Sequence, residues 1–532
     1  MRTTAGADSS TSTEDEDEPD VLTRENVGLL LGPLAFVIVY VGTPFAIPGD
    51  ANAVLAGTLW IAIWWMTEAV PIPVTSLLPV ALFPLTDVGT VADATTPYAD
   101  PIIFLLLGGF LLALAIEHWN LHRRIALSIV HLVGVSPERL LFGFMLATAV
   151  LSMWISNTAT AMMMVPIGTA VVAQYVTMQE TDGDGHTETA DDDATAERDD
   201  NPNREATMAT AESIPETEDL PRSRFGIALL LGIAYGASIG GAATIIGSPP
   251  NAVFAGVAGS SLGVDIGFFD WMLFALPASA ILLVATWSLL VVLLRPERVP
   301  ASGIEDVVQA ELEAMGALGR GERRVLSVFA IVAGGWILRP FILEPIVPAL
   351  TDETIAIIGA ILLFVVPVDL RERTFLLEWD AVADLPWGVL LLLGAGFSIA
   401  NAFQLSGLDE LIAETLAVFA DVRLIVLFFL IAGVVVFLTE INSNTATATV
   451  FMPIMIGLGA TLGVDPLGLM ALTALSASFA FMLPVATPPN AIVFGAGYLA
   501  IPDMVRIGIW LNLLGIGITA LLTFLWFPVV FG

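Results

Sequence analysis

The stretch Ser156–Ile167, SNTATAMMMVPI, returns as SNTATATVFMPI at Ser443–Ile454. The copies lie 287 residues apart, and the same offset carries Ser152 onto Thr439, Pro166 onto Pro453, Phe110 onto Phe397 and Leu121 onto Leu408. A register held for more than fifty residues marks a duplicated half of the chain. A second paired motif follows each copy, Gly247-Ser248-Pro249-Pro250-Asn251 and Ala486-Thr487-Pro488-Pro489-Asn490. Proline has no N–H to give a helix and its ring clashes with the preceding turn, so these motifs break otherwise apolar helical runs. Two interrupted segments per half, in matching positions, are the pattern of transporters built from repeats.

Around these motifs the chain is 56% hydrophobic and 14% charged, where soluble domains carry about a quarter charged residues. Its apolar stretches are mostly about twenty residues long, the length that crosses a hydrocarbon core of about 30 Å as a helix. In lipid the backbone satisfies itself, so the expected class is an all-α polytopic membrane protein embedded in the bilayer. The strand-length alternation of an outer-membrane barrel is absent. The first twenty-six residues are polar and acidic, which excludes a signal peptide there and leaves the amino end in the cytoplasm. Of the 53 acidic residues, 23 fall in residues 1–26 and 179–220. Both segments read as disordered and solvated, the second alternatively as a cation-binding or regulatory loop. All 19 basic residues are arginine, and a net charge of −34 without lysine fits the hydrated exterior of a protein from a salt-loving host. Such a balance offers nothing to nucleic acid. Cysteine is absent, which removes disulfides and thiolate metal sites.

The positive-inside rule orients the spans. With Arg24 inside, helices at about 27–45, 51–70, 71–88 and 98–119 return the chain to Arg123 and Arg124, ahead of an amphipathic surface stretch over 121–134. The next apolar block has Arg139 before it and Arg222 and Arg224 after it, so it reads as a re-entrant hairpin with its tip at Ser156-Asn157-Thr158. Continued through Arg295, Arg298, Arg320, Arg323, Arg324, Arg371 and Arg373, the count brings the second Ser-Asn-Thr block in from outside. Only Arg339 and Arg423 fall on the outer face. The expected organisation is an acidic tail over 1–26 and a first repeat over 27–261 with hairpin 137–177, cytoplasmic acidic loop 178–223 and broken helix 225–261. A connecting helix and linker over 262–320 lead to a second, inverted repeat over 321–532 with hairpin 421–461, broken helix 465–500 and last helix 507–530. That makes about 11 transmembrane helices plus two re-entrant hairpins, with the carboxyl end outside. Inverted repeats place a binding site near the midplane, where either side can reach it.

Hairpin tips and helix breaks free backbone carbonyls and amides, which is tolerated at membrane depth only where they are buried in protein or line a watery cavity. Carbonyl, hydroxyl and carboxamide oxygens suit a hard cation such as sodium. Helix amino termini suit a carboxylate or sulfate. On these motifs the chain resembles the divalent anion:sodium symporter family, over residues 27–530. The resemblance implies a first sodium site from Ser152, Ser156, Asn157 and the Gly247 carbonyl, and a second from Thr439, Asn444 and the Ala486 and Pro488 carbonyls. The substrate would lie between them, met by Asn157, Thr158, Ser248 and Pro249 on one side and by Asn444, Thr445, Thr487 and Pro488 on the other. It further implies sodium as the co-transported ion, a small dianion such as succinate, malate or fumarate as substrate, a homodimer in the plasma membrane, and elevator-like movement of a transport domain. The acidic insert makes the offset between the Pro-Pro-Asn motifs 239 instead of 287.

Competing readings are a sodium-independent dicarboxylate exchanger or a sulfate or citrate carrier on the same fold. The rival from another class is a membrane enzyme, for instance an intramembrane hydrolase, and the lack of a nucleophile–base pair or metal triad at membrane depth discriminates against it. Ser, Thr and Gly also serve close helix packing, but not in two motif pairs at matching positions. Glu440 is an intramembrane acid whose mate in the first half is Met153, and both a structural and an ion-linked role are open to it. His118 and His122 are spaced like a metal pair, yet interfacial snorkelling accounts for them. Trp64, Trp65, Trp154, Trp379 and Trp387 read as interfacial or packing aromatics.

Overall fold

A computed structural model describes residues 23–42, 47–134, 136–183, 221–296, 302–416, 418 and 421–532. The expectations for the tail over residues 1–22 and for the acidic loop over 184–220 lie outside the described residues. Within them the regular structure is helical except for a small antiparallel pair, Pro367–Asp369 with Thr374–Phe375, whose turn carries Arg371 and Arg373. Nine helices among the described residues are long and apolar enough to cross a bilayer. Three further apolar helices, Ile72–Leu85, Leu424–Thr439 and Pro466–Ala477, are shorter. The nine include the return arms Asn157–Val176 and Asn444–Leu462, which the expected figure of about eleven sets apart as hairpins, and leave out helices cut short, such as Ile72–Leu85 and Pro466–Ala477.

The hairpins take their form from local sequence. Ser136 caps the first arm, Pro137–Ser152, by accepting from Arg139 N at 3.4 Å, with Pro137 in the first helical position. The return arm is Asn157–Gly183. In the second half the arms are Leu424–Thr439 and Asn444–Leu462. The first arms therefore begin and end 287 residues apart, and both return arms start at the asparagine of their motif.

The first broken helix consists of Arg224–Gly241 and Pro249–Leu262, the second of Pro466–Ala477 and Pro488–Gly495. Arg224–Gly241 meets the first hairpin arm along a glycine stripe, Gly232, Gly236 and Gly240. A Cβ at Gly236 would stand 2.9 Å from Met145 O, and one at Gly240 would overlap the Ala149 backbone. Without side chains the two backbones pack directly, the usual means of helix association in lipid. Beyond each break the helices change partners. Pro249–Leu262 packs on Asn444–Leu462 and Pro466–Ala477, whereas Pro488–Gly495 packs on Asn157–Gly183 and Arg224–Gly241. Each half thus completes the other's core.

Around this core Pro101–His118 packs on Asp352–Val365, and Gly49–Thr67 lies between Arg24–Gly42 and Trp387–Ser406. Leu30, Val41, Val292, Ile331 and Leu525 remain exposed on outer faces, as an apolar solvent permits. Two amphipathic helices, Leu121–Val133 and Leu408–Leu416, follow residues in the left-handed region, Asn120 (φ 53°) and Gly407 (φ 67°), again 287 apart. The first is tied down by Arg124, whose Nε donates to Glu322 Oε1 at 2.8 Å. Arg339, which falls on the outer face by the arginine count, forms an ion pair with Asp352, Nε lying 2.9 Å from Oδ1, with Asp265 and Glu344 within 4.0 Å.

His118 and His122 end up on different helices, separated by the turn at Asn120. The His118 ring meets Trp119 edge-on at 5.4 Å, and His122 Nδ1 lies 3.1 Å from Ile116 O. Burial holds the His122 pKa below its usual value, and Arg123 adds to the effect. Trp154 packs between Phe268, Phe329 and Trp336, Trp65 is buried, and Trp379 is exposed.

Candidate functional site

At the first hairpin tip, Ser152 is fully buried and its hydroxyl lies 2.5 Å from the Asn157 carboxamide. That carboxamide also faces Ala237 O at 3.1 Å and Gly247 O at 3.3 Å. With its nitrogen inward it donates to these three oxygens and closes the cluster. With its oxygen inward four oxygens converge, an arrangement that a cation reconciles. Glycine is required at this spot. A Cβ at Gly247 would sit 2.6 Å from Gly241 O and 2.9 Å from Ser152 O, and one at Gly241 would sit 2.8 Å from Gly247 O.

The groups freed by the first break are satisfied by nearby side chains. Thr244 Oγ1 donates to Met153 O at 2.5 Å and accepts from Gly247 N at 3.1 Å. Asn251 Nδ2 donates to Gly241 O, Ala242 O and Thr244 O at 3.3, 3.1 and 2.7 Å, and Trp271 Nε1 donates to Ala242 O at 3.1 Å. Unpaired, each such carbonyl would cost several kcal/mol at membrane depth.

The second tip repeats this arrangement with other partners. Thr439, fully buried, donates from Oγ1 to Asn444 Oδ1 at 2.7 Å and faces Ala477 O at 3.2 Å. Asn490 Nδ2 donates to Ala480 O at 3.3 Å and Leu483 O at 3.0 Å, matching Asn251. Thr487 caps Pro488–Gly495 by accepting from Asn490 N at 3.3 Å. Glu440 has no counterpart in the first half. Its Oε1 accepts from Phe481 N at 2.7 Å, Met482 N at 2.9 Å and Asn512 Nδ2 at 2.7 Å, and its Oε2 from Leu483 N at 3.0 Å.

The two breaks meet where Ser248 Oγ and Ser478 Oγ lie 3.1 Å apart, both buried. Helices begin at Asn157, Pro249, Asn444 and Pro488, and their amino termini carry partial positive charge. Among the described residues no group of three or more His, Asp or Glu could hold a metal.

Ser152, Asn157 and Gly247 are thus brought together, as are Thr439 and Asn444. The Ser156 hydroxyl instead accepts from Ala159 N at 3.2 Å at the start of the return arm. Ala486 is buried in a short 3-10 turn, its N–H bonded to Leu483 O at 3.2 Å, and no hydrogen bond joins it or the exposed Pro488 to Thr439 or Asn444. Thr158 and Pro249 are half-buried, and Thr445 and Thr487 are buried. The reading of the sequence missed the carbonyls of Ala237 and Ala477, which no side-chain pattern could disclose. It also assigned nothing to Asn251, Asn490 and Asn512. The first two stand inside the repeated motifs and the third is a lone amide in an apolar helix, so a signal was present.

Residues 25–532 match the family described as the sodium:sulfate symporter transmembrane region. Over 511 residues, 95% of this chain and 92% of the relative, the chain is 39% identical to the sodium-dependent dicarboxylate transporter SdcS of Staphylococcus saprophyticus. It is 38% identical over the same length to SdcS of Staphylococcus aureus. Among solved structures, the fold is similar to that of the YdaH transporter of Alcanivorax borkumensis, with a TM-score of 0.53 and 14% sequence identity, covering 89% of this chain and 99% of that one.

Proposed function

The chain belongs to the sodium:sulfate symporter family, the divalent anion:sodium symporters, and on that premise we propose that it carries a small dicarboxylate into the cell together with sodium ions. The observation that carries this reading is the repeated pairing of a buried hydroxyl with a hairpin asparagine, Ser152 with Asn157 and Thr439 with Asn444. One sodium ion binds among Ser152 Oγ, Asn157 Oδ1, Ala237 O and Gly247 O once the Asn157 amide turns its oxygen inward. A second binds among Thr439 Oγ1, Asn444 Oδ1 and Ala477 O, with Ala486 and Pro488 moving in from the second break. The nearness of SdcS supports sodium as the coupled ion and a dicarboxylate as the cargo.

The substrate lies between these half-sites and takes donors from Asn157, Thr158 and Ser248 on one side and Asn444, Thr445 and Thr487 on the other. Among the described residues no basic side chain contributes to either cluster. Its charge is met instead by the helix amino termini at Asn157, Pro249, Asn444 and Pro488 and by the sodium ions themselves. That makes substrate affinity depend on sodium, which is the physical basis of coupling. Two carboxylates bridging two half-sites favour a C4 dianion. The halves are read as inverted in the plasma membrane, with the amino end and acidic loop inside and the carboxyl end outside. The hairpins and broken helices move as one body, elevator-fashion, within a homodimer.

The test is uptake of radiolabelled succinate into proteoliposomes at high ionic strength, with potassium replacing sodium in the control. Uptake that requires an inward sodium gradient is the expected result. Uptake driven equally well in potassium by preloaded internal dicarboxylate would make the protein an exchanger and overturn the symport reading.

A further inference from the structure

Glu440 is the point at which the two halves differ. It is 3% exposed, inside a region read as membrane-embedded, and Met153 stands at the corresponding position of the first half. Four donors face its two oxygens, three of them successive backbone amides of the second break and the fourth Asn512 Nδ2. Among the described residues no arginine or histidine is a partner of Glu440, and the rings of Tyr235 and the neighbouring Phe481 meet edge to face at 5.3 Å. An acceptor-only group surrounded by donors is what a carboxylate needs when buried without a basic partner. In the first break the corresponding amides of Ala242 and Ala243 bond to Ser238 O and Gly240 O as an ordinary helix end. The amides of the second break are therefore taken by a side chain, whereas those of Ala242 and Ala243 in the first end on their own backbone.

We propose that Glu440 is a positioning residue for the second cation: it keeps residues 481–483 unwound, joins them through Asn512 to the last long helix, and sets a fixed negative charge one residue from Thr439. The two half-sites then differ in sodium affinity, the second being the tighter. The inference rests on the sodium-coupled reading above. A negative charge carried by the residue next to a cation ligand favours cation binding, an effect taken here as about tenfold.

The experiment titrates sodium, in a sodium–potassium chloride series of constant total salt, against succinate uptake by wild type, Glu440→Gln, Asn512→Leu and Asn444→Ala in proteoliposomes. For Glu440→Gln the half-saturating sodium concentration rises about tenfold or more, while the succinate KM at saturating sodium stays within about twofold. An unchanged sodium half-saturation, or a fall in maximal rate with both half-saturations unchanged, would reduce Glu440 to a structural role and overturn the proposal. Should Glu440→Gln fail to give a monodisperse protein, Asn512→Leu decides. It removes one of the four donors and keeps the charge, so it raises the sodium half-saturation about threefold, and no rise overturns the proposal. Asn444→Ala tests the underlying site. If it keeps wild-type sodium dependence the site reading fails, whereas its loss beside an unaffected Glu440→Gln defeats only the inference about Glu440.

Discussion

Asn157 and Asn444 hold the chemistry because a carboxamide presents an oxygen on one edge and two donors on the other. Each can close its cluster with the nitrogen or open it to a cation with the oxygen, with no change in backbone. Alanine at either position removes both options and leaves the hairpin otherwise intact. Asn157→Ala and Asn444→Ala should each abolish sodium-dependent uptake while thermal unfolding and gel-filtration behaviour stay near wild type. Full uptake by either variant would remove that asparagine from the site. Both residues were legible in the sequence because a polar triplet inside an apolar run, occurring twice, has little structural explanation. The carbonyls of Ala237 and Ala477 were not, since a backbone oxygen carries no signature in residue type.

At the scale of elements, the stripe Gly232, Gly236 and Gly240 decides how closely the first broken helix approaches the hairpin, and so whether Ala237 O reaches Asn157. Gly240→Leu would drive a side chain into the Ala149 backbone. The expected outcome is a fall in stability of about 3 kcal/mol or more, read as a lowered melting temperature in detergent. The outward-facing Gly334, with nothing near its Cβ position, should accept leucine without such a loss. A melting temperature for Gly240→Leu equal to that of Gly334→Leu would disprove the close packing. The element boundaries follow a similar logic. The starts of the return arms could be read from the motifs, whereas the splitting of 71–88 into Ile72–Thr75 and Leu78–Leu85 was missed although Thr75 and Ser76 mark it.

For the whole molecule, the question is whether the acidic insert belongs to the transport machinery. Just after it Arg222 pairs with Asp503, and Ser223 N donates to Tyr498 Oη at 2.6 Å. The core is therefore closed at this face by residues flanking the insert. Replacing residues 184–220 by a Gly-Ser linker of about ten residues should leave the succinate KM and the sodium half-saturation within about twofold. A shift of about tenfold in either, measured in the same uptake assay, would make the insert part of the transport cycle.

Composition and the length of the apolar stretches determined that this chain is helical and lives in a bilayer, because only a self-satisfied backbone survives there and no barrel alternation is present. Repetition determined where its helices break, because the residues that break a helix act on their own turn. What only the tertiary structure decided is which freed groups meet. Pro249–Leu262 and Pro488–Gly495 complete the opposite half, Asn251 and Asn490 close the breaks on carbonyls several residues back, and Glu440 reaches amides more than forty positions away. These pairings depend on distance in space and on backbone atoms common to every residue, so no local pattern in the sequence could encode them visibly.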